Sequence, residues 1–364
     1  MTIALDVGPL RTNPAGVGVY VRSLAQGLAE IGRDDIVYIG LRADAEGLPA
    51  GVPSIERSAR APYPLWVELL ASRAVSRSGA DIAHFTDGLV PLLRRRPTVV
   101  TVLDLSLVRE WRSHRVVRYP RIPLVLAAPR LATRVIAISQ ATADEVMRLT
   151  KTPASKIDVI PLAPRASARP MPDEAVAEVL GRMGLARGGY LLVPGTIEPR
   201  KNHVRVIAAF ESLVARRAIP LDMQLVLAGG AGWRSDRALA AIAASPARER
   251  IKLLGYVAED DLASLMTGAA AVVYASTYEG FGLPVLEAMA CGAVVVTSNV
   301  SSMPEVAGGE GVLVDPFTAS SIAAGILGAL AAVTGSRERA LARASRARWS
   351  TVAEQTAATY DRLA

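Results

Sequence analysis

Ala270-Ala-Val-Val-Tyr274-Ala-Ser-Thr-Tyr278-Glu-Gly-Phe-Gly-Leu-Pro-Val-Leu-Glu-Ala-Met-Ala-Cys-Gly-Ala-Val294-Val-Val-Thr297 decides the fold. Its short apolar run Ala270–Tyr274 predicts a strand, and the glycines at 280 and 282 predict a loop. Pro284 opens a helix to Ala290, and Val294–Thr297 is a second strand. Uniformly apolar strands separated by helices specify a parallel sheet covered on both faces.

The same alternation runs outward from this stretch. Upstream lie strands at Tyr190–Val193, Gln224–Ala228 and Ile251–Leu254, with helices at Val204–Arg216 and Asp260–Met266. Downstream lie helices at Ile322–Val333 and Ser350–Leu363. The first half repeats the pattern, with strands at Ile3–Val7, Ile36–Ile39, Ile82–Phe85, Thr98–Leu103 and Val135–Ile138. Its helices are Val19–Ile31, Pro64–Ser76 and Gln140–Leu149. Between the halves, prolines at 161, 164, 170 and 172 force extended backbone and mark an interdomain connection. The expected fold is α/β, two Rossmann-like domains whose parallel sheets face each other across a cleft, because open parallel sheets bind ligands at their carboxyl edges.

Composition narrows the function. The chain has 364 residues, 51% of them hydrophobic and 21% charged, enough for two domains with real cores. Its one cysteine, Cys291, excludes an internal disulfide and a cysteine-built zinc site and suits the cytoplasm. The opening run Thr2–Val7 is strand-like and lacks the features of a secretion signal. The longest apolar stretch, Ile322–Val333, is 12 residues, too short to cross a bilayer. The net charge of +7 is unevenly placed. Between Arg94 and Arg134 ten arginines meet only Asp104 and Glu110, a local balance of +8 that also includes Trp111, His114 and Tyr119. Two readings of this segment stand together: a peripheral contact with an anionic membrane face through Arg109–Arg121, or a solvated basic face. No helix-turn-helix, zinc pairing or aromatic RNA-binding motif points to nucleic acid.

Three segments carry chemistry. In the decisive stretch, Gly280 and Gly282 let backbone approach a ligand, and Pro284 sits in the first turn of a helix whose free N–H groups favour anions. Glu279 and Glu287 beside such a site suit a ligand that also carries sugar hydroxyls; a glycine turn with a surface glutamate is the plainer alternative. The second segment, Gly195-Thr-Ile-Glu-Pro-Arg-Lys-Asn202, places a guanidinium and an ammonium side by side after a strand, a pair suited to a diphosphate. Glu198 or Asn202 would cap the next helix or orient these cations. The third, Asp6–Tyr20, contains Pro14, Gly16 and Gly18, read either as a loop lining the cleft or as a tight turn. It lacks the full dinucleotide fingerprint. His84 closes a strand, and Asp104 follows another; a satisfied imidazole and a helix-capping carboxylate are their structural alternatives. No Asp-x-Asp pair is present, so no tightly bound metal is expected, although Mg²⁺ on a diphosphate is compatible with the motifs.

Together these segments resemble the retaining glycosyltransferases of family 4, which have the GT-B fold. Glu279 through Glu287 reproduces that family's E-x7-E signature, and Gly195–Asn202 its Pro-Arg-Lys-Asn loop. Pro304-Glu-Val306, Asp315-Pro316 and Trp349 match further family positions. The resemblance implies an acceptor-side domain over 1–168, a donor-binding domain over 169–345 and a terminal helix over 346–364 returning to the first domain. It implies that Arg200 and Lys201 hold the donor diphosphate, that Glu287 binds the ribose and that Glu279 contacts the transferred sugar. Backbone at Gly195, Gly280, Phe281, Gly282 and Leu283 would touch sugar or phosphate, Gly16 and Gly18 would lie across the donor, and His84 and Asp104 would face the acceptor or sugar. The implied substrates are a nucleotide sugar, GDP-mannose or a GDP-deoxyhexose first, and a lipid-linked or surface-polysaccharide acceptor. A UDP- or dTDP-sugar transferase acting on a small molecule, and a non-catalytic scaffold in polysaccharide assembly, are the alternatives. Leu103 stands where relatives often carry a histidine that touches the sugar, and Ala163 where many have glycine.

Overall fold

The computed structural model describes all residues except 13–15, 42–47, 50–53, 58–62, 112–115, 332–334 and 364. The chain forms two units. The first comprises Met1–Trp111, Val116–Ala163 and Arg348–Ala364, and the second contains Pro164–Ala347.

In the first unit, strands β1 (Ile3–Asp6), β2 (Ile36–Leu41), β3 (Ser54–Arg57), β4 (Ile82–Phe85), β5 (Thr98–Val102), β6 (Arg134–Ala137) and β7 (Ile157–Val159) form one sheet. Their order is β3-β2-β1-β4-β5-β6-β7, with all pairs parallel. The second unit holds β8 (Tyr190–Pro194), β9 (Gln224–Ala228), β10 (Ile251–Gly255), β11 (Ala271–Tyr274), β12 (Val295–Ser298) and β13 (Val312–Val314). These run in the order β10-β9-β8-β11-β12-β13, again all parallel. Both sheets are Rossmann-like. The strand order reverses at β1/β4 in one and at β8/β11 in the other, and loops diverge at the carboxyl ends there to leave room for a ligand.

Apolar residues in the central strands account for the cores. Leu191, Val193, Leu225, Leu227, Val273 and Val296 pack with Val206, Phe210 and Ile326 from covering helices in the second unit. The first unit buries Trp66, Phe85, Val100, Val102 and Val135 in the same manner. The expected helix Pro64–Ser76 is interrupted. Residues Trp66–Ala71 wind more widely than an α-helix before a regular helix at Ser72–Ser78, which turns Trp66 inward to a fully buried site.

The terminal helix Trp349–Asp361 belongs to the first unit. It lies against the helix Gly16–Glu30 so closely that a Cβ on Gly27 would sit 2.9 Å from the Trp349 carbonyl. Before the terminal helix, the first unit runs to Ala163. Just beyond it Arg165, in the second unit, is bonded to Glu287 and Glu259. Among the described residues no single helix is long and apolar enough to cross a membrane.

Candidate functional site

At the β8/β11 switch point two loops are laced together. β8 runs into Gly195, which adopts φ 110° and lies so close to the loop after β9 that a Cβ on Gly229 would come within 1.9 Å of the Gly195 carbonyl. The turn Pro199–Lys201 ends at Asn202, held left-handed at φ 64°. Asn202 does not cap the helix His203–Ala215 through its side chain. Instead its amide donates to the carbonyls of Ala275 (2.9 Å) and Pro316 (2.7 Å), while Thr277 N–H donates to the Arg200 carbonyl at 2.8 Å. The loops after β8 and β11 are thereby fixed side by side.

That lacing brings three predicted residues together. Glu279 is buried and accepts from Arg200 Nη1 at 2.5 Å through one oxygen and from Lys201 Nζ at 2.6 Å through the other. The Tyr274 hydroxyl, at the end of β11, donates to the Lys201-facing oxygen of Glu279 at 2.8 Å and also meets the Lys201 ammonium. Glu198 pairs with Arg200 Nε at 2.9 Å, so it orients the cation. Ser302 Oγ donates to the carbonyls of Glu279 (3.0 Å) and Phe281 (2.7 Å), and Ser301 Oγ lies against Glu279. The loop therefore has a fixed backbone as well as a fixed carboxylate.

The electrostatics follow from this packing. Burial by itself would raise the Glu279 pKa, but Arg200 and then Lys201 outweigh it and hold the carboxyl at about 2. Burial, aided by Arg200, lowers the Lys201 ammonium from its ordinary value against the pull of Glu279. Burial next to Lys201 presses His203 down to about 4, so its imidazole is neutral at pH 7. The result is a compact site in which Arg200 and Lys201 share Glu279 while Glu198 holds the Nε of Arg200.

Gly282, at φ 96°, turns the chain into the helix Leu283–Ala290, with Pro284 in its first turn. The amide of Val285 is taken by the Gly282 carbonyl at 2.9 Å. Glu287 lies farther along this helix, 2% exposed, gripped by Arg165 through Nε (2.5 Å) and Nη2 (2.8 Å). Arg165 Nη1 also binds Glu259 at 2.9 Å. Sequence reasoning passed over Arg165, Tyr274 and Ser302. Tyr274 had a usable signal as the last residue of a strand at a switch point; Arg165 had none, since its partners are 94 and 122 residues away.

In the first unit the predicted residues are placed otherwise. His84 is fully buried, with Nδ1 2.6 Å from the Tyr360 hydroxyl and Nε2 2.7 Å from Thr101 Oγ1. Tyr20 meets the same Thr101 hydroxyl at 2.8 Å. Burial lowers the His84 pKa to about 3, which leaves a neutral ring with both nitrogens occupied. Asp104 accepts from Ser106 N–H (2.9 Å) and Ser106 Oγ (2.6 Å), starting the short helix Ser106–Arg109. Both side chains thus have structural employment. Gly16 and Gly18 occupy the first turn of the helix Gly16–Glu30 rather than a loop, with Gly16 exposed and Gly18 buried, while Pro14 lies outside the described residues. Of the arginine-rich segment, His114 and residues 112–115 also lie outside them; Arg109 pairs with Glu145, and Arg121 with Asp87.

Comparison with known proteins gives these loops a context. Residues 187–348 match the family described as Glycosyl transferases group 1, and residues 14–163 match Glycosyltransferase Family 4. A solved structure of Anabaena HepE with UDP and glucose superposes with a TM-score of 0.77 at 20% identity, covering 99% of both chains. The chain is a GT-B glycosyltransferase. A sucrose-phosphate synthase from Thermosynechococcus elongatus shares this fold at a TM-score of 0.79 and 22% identity, over 100% of this chain and 99% of that one. The O-antigen chain mannosyltransferase B of Escherichia coli is 36% identical over 235 residues, which span 64% of this glycosyltransferase but 61% of that protein's length. Among the described residues no group of three or more His, Cys, Asp or Glu side chains is arranged to hold a metal ion.

Proposed function

We propose that this enzyme transfers a hexose with retention of anomeric configuration, from a UDP-sugar to a small polar acceptor, using the β8/β11 switch point of its second unit as the donor site. The observation that carries the reading is the convergence of Arg200, Lys201 and Glu279, the latter two 78 residues apart, on one buried ion-pair cluster at a strand reversal. Arg200 and Lys201 receive the donor diphosphate. As the bond from the sugar C1 to the phosphate oxygen breaks, negative charge grows on the leaving group, and the two cations stabilise it more than they stabilise the bound donor. Glu279 accepts hydrogen bonds from the transferred sugar. Glu287 takes the ribose hydroxyls, and the backbone from Gly280 to Leu283 with Gly195 borders the sugar and phosphates. The acceptor oxygen bonds to C1 on the face the phosphate leaves, and its proton passes to a donor phosphate oxygen. Such a route needs no protein nucleophile and no separate general base.

The UDP-sugar and the small acceptor are supported by the HepE structure with UDP and glucose and by the likeness to a sucrose-phosphate synthase. A second reading, GDP-mannose or a GDP-deoxyhexose passed to a lipid-linked or surface polysaccharide, is favoured by the 36% identity to the O-antigen mannosyltransferase. Buried Cys291 fits either reading in the cytoplasm. Calorimetry with UDP, dTDP, GDP and ADP, followed by donor hydrolysis and transfer to hexose phosphates, separates them. UDP binding at least about tenfold tighter than GDP, a gap of roughly 1.4 kcal/mol, is expected; the reverse order selects the second reading. Absence of binding by all four removes the donor site, and an inverted product anomer removes the retaining route.

A further inference from the structure

The arginine-rich segment is only partly absorbed by the ion pairs of Arg109 and Arg121. Its beginning, the loop between β4 and β5, is arranged differently. Leu92 is 53% exposed and Leu93 85% exposed, and they are followed directly by Arg94, Arg95 and Arg96. The loop is anchored. Ser72 Oγ donates to the Leu93 carbonyl at 2.7 Å, and Leu92 N–H donates to Glu68 at 3.2 Å. Arg94 Nη1 reaches the carbonyls of Pro91 (3.2 Å) and Leu92 (3.3 Å), which stiffens the turn. The leucines are therefore held outward by a fixed backbone.

The cations around them are uncompensated. The three arginines line a shallow depression with Ser72 and Ser76 of the helix Ser72–Ser78, where Arg73 and Arg77 are also exposed. Lys156 Nζ binds the Arg130 carbonyl at 2.7 Å. Burial, and then the positive field of Arg94, lower the Lys156 ammonium from its ordinary value. None of Arg94, Arg95, Arg96, Arg130 and Lys156 has an ion pair among the described residues. Glu68, the carboxylate that meets the loop, is engaged by backbone. In a parallel sheet, the residues just before β5 lie at the amino edge, opposite the carboxyl edge where ligands bind.

We infer that Leu92–Arg96, with Arg73, Arg77, Arg130 and Lys156, forms a docking surface for an anionic lipid bilayer. Two projecting leucines enter the acyl boundary while the cations meet headgroup phosphates, a pairing of apolar wedge and positive charge that an aqueous anion does not require. The surface replaces Arg109–Arg121 as the membrane contact, and it stands independently of the donor site and of either acceptor reading. Nucleic acid fits less well, because the patch offers two exposed leucines and no aromatic ring on which a base would stack.

The test is sedimentation of the full chain with vesicles of phosphatidylcholine containing 30% phosphatidylglycerol, against phosphatidylcholine alone, at about 0.1 M salt. The parent protein is expected to bind the anionic vesicles and leave the neutral ones. Leu92→Ser/Leu93→Ser and Arg95→Glu/Arg96→Glu should each lower the bound fraction at least about tenfold, with unaltered circular dichroism and unaltered nucleotide affinity. Arg109→Gln/Arg121→Gln should bind like the parent. Absent binding to anionic vesicles, equal binding by either patch variant, or loss of binding only in the Arg109/Arg121 variant would overturn the proposal. So would tighter binding to a single-stranded oligonucleotide than to vesicles, abolished by the same patch variants.

Discussion

The two sheets share a strand order through their first six strands, yet their switch points hold opposite kinds of chemistry. At β1/β4 the carboxylate that ends β1, Asp6, is fully buried and accepts from the Tyr63 hydroxyl (2.6 Å), Trp66 Nε1 (3.2 Å) and the Gly8 amide (3.1 Å). His84, near the end of β4, is closed in by Tyr360 and Thr101. At β8/β11 the polar residues sit on loops beyond the strand ends and pair as ions: Arg200 and Lys201 with Glu279. Neutral donors around a strand-end carboxylate make a permanent interior. Two cations tied to Glu279, with Glu198 on Arg200, make a site whose ion pairs can be exchanged for bonds to an incoming diphosphate. The same topology therefore yields a packed junction in one unit and a binding site in the other, according to which residue types end the strands.

That contrast is open to direct attack. The largest effect belongs to Arg165→Ala, which leaves the carboxylate of Glu287 buried and without its cation. It should destabilise the protein by about 3 kcal/mol, measured by denaturant unfolding, and addition of Glu287→Gln should recover part of the loss. Next is Lys201→Ala, expected to lower kcat/KM by about 100-fold, roughly 2.7 kcal/mol of transition-state stabilisation. Glu279→Gln should cost at least about tenfold in turnover with the fold intact. Normal kinetics in both variants would make the second switch point as inert as the first.

Acid separates the units further. The His84 pKa in the folded protein, about 3, lies below its ordinary value of 6.5, so the unfolded chain binds more protons between those values. Stability is complete above pH 6.5 and is lost as pH falls, by about 2 kcal/mol between pH 7.5 and 5. His203, at about 4, contributes in the same direction. His84→Gln should flatten about half of that dependence in thermal melts, His203 keeping the rest, and leave kcat at pH 7.5 unchanged; a fall in kcat would return His84 to the site. Glu279, held at about 2 against an ordinary 4.5, adds a loss in the same direction below about pH 5 and little between pH 7.5 and 5. Asp104→Ala carries the smallest expected effect, about 1 kcal/mol of stability from its lost hydrogen bonds to Ser106, with unchanged kinetics.

The central strands were legible because they are covered on both faces and so are continuously apolar, as in Tyr190–Val193 and Ala270–Tyr274. Three of the four edge strands, β3, β7 and β13, were not, whereas the fourth, β10, was legible because Ile251–Leu254 is largely apolar. Ser54–Arg57 and Ile157–Val159 carry charged residues that no uniform apolar pattern describes. The interruption at Trp66–Ala71 likewise has no local signal; from it Trp66 Nε1 donates to buried Asp6, 60 residues away.

By itself the sequence determined the alternation of strand and helix, the proline-marked division, and the residue types at each strand end, because these depend on neighbours close along the chain. Tertiary structure alone decided that Glu279 meets both cations, that Arg165 reaches Glu287, and that His84 turns inward to Tyr360. Those pairings span 78 to 276 residues. Charge attraction and burial act through space, so only the closed sheet specifies which carboxylate answers which cation.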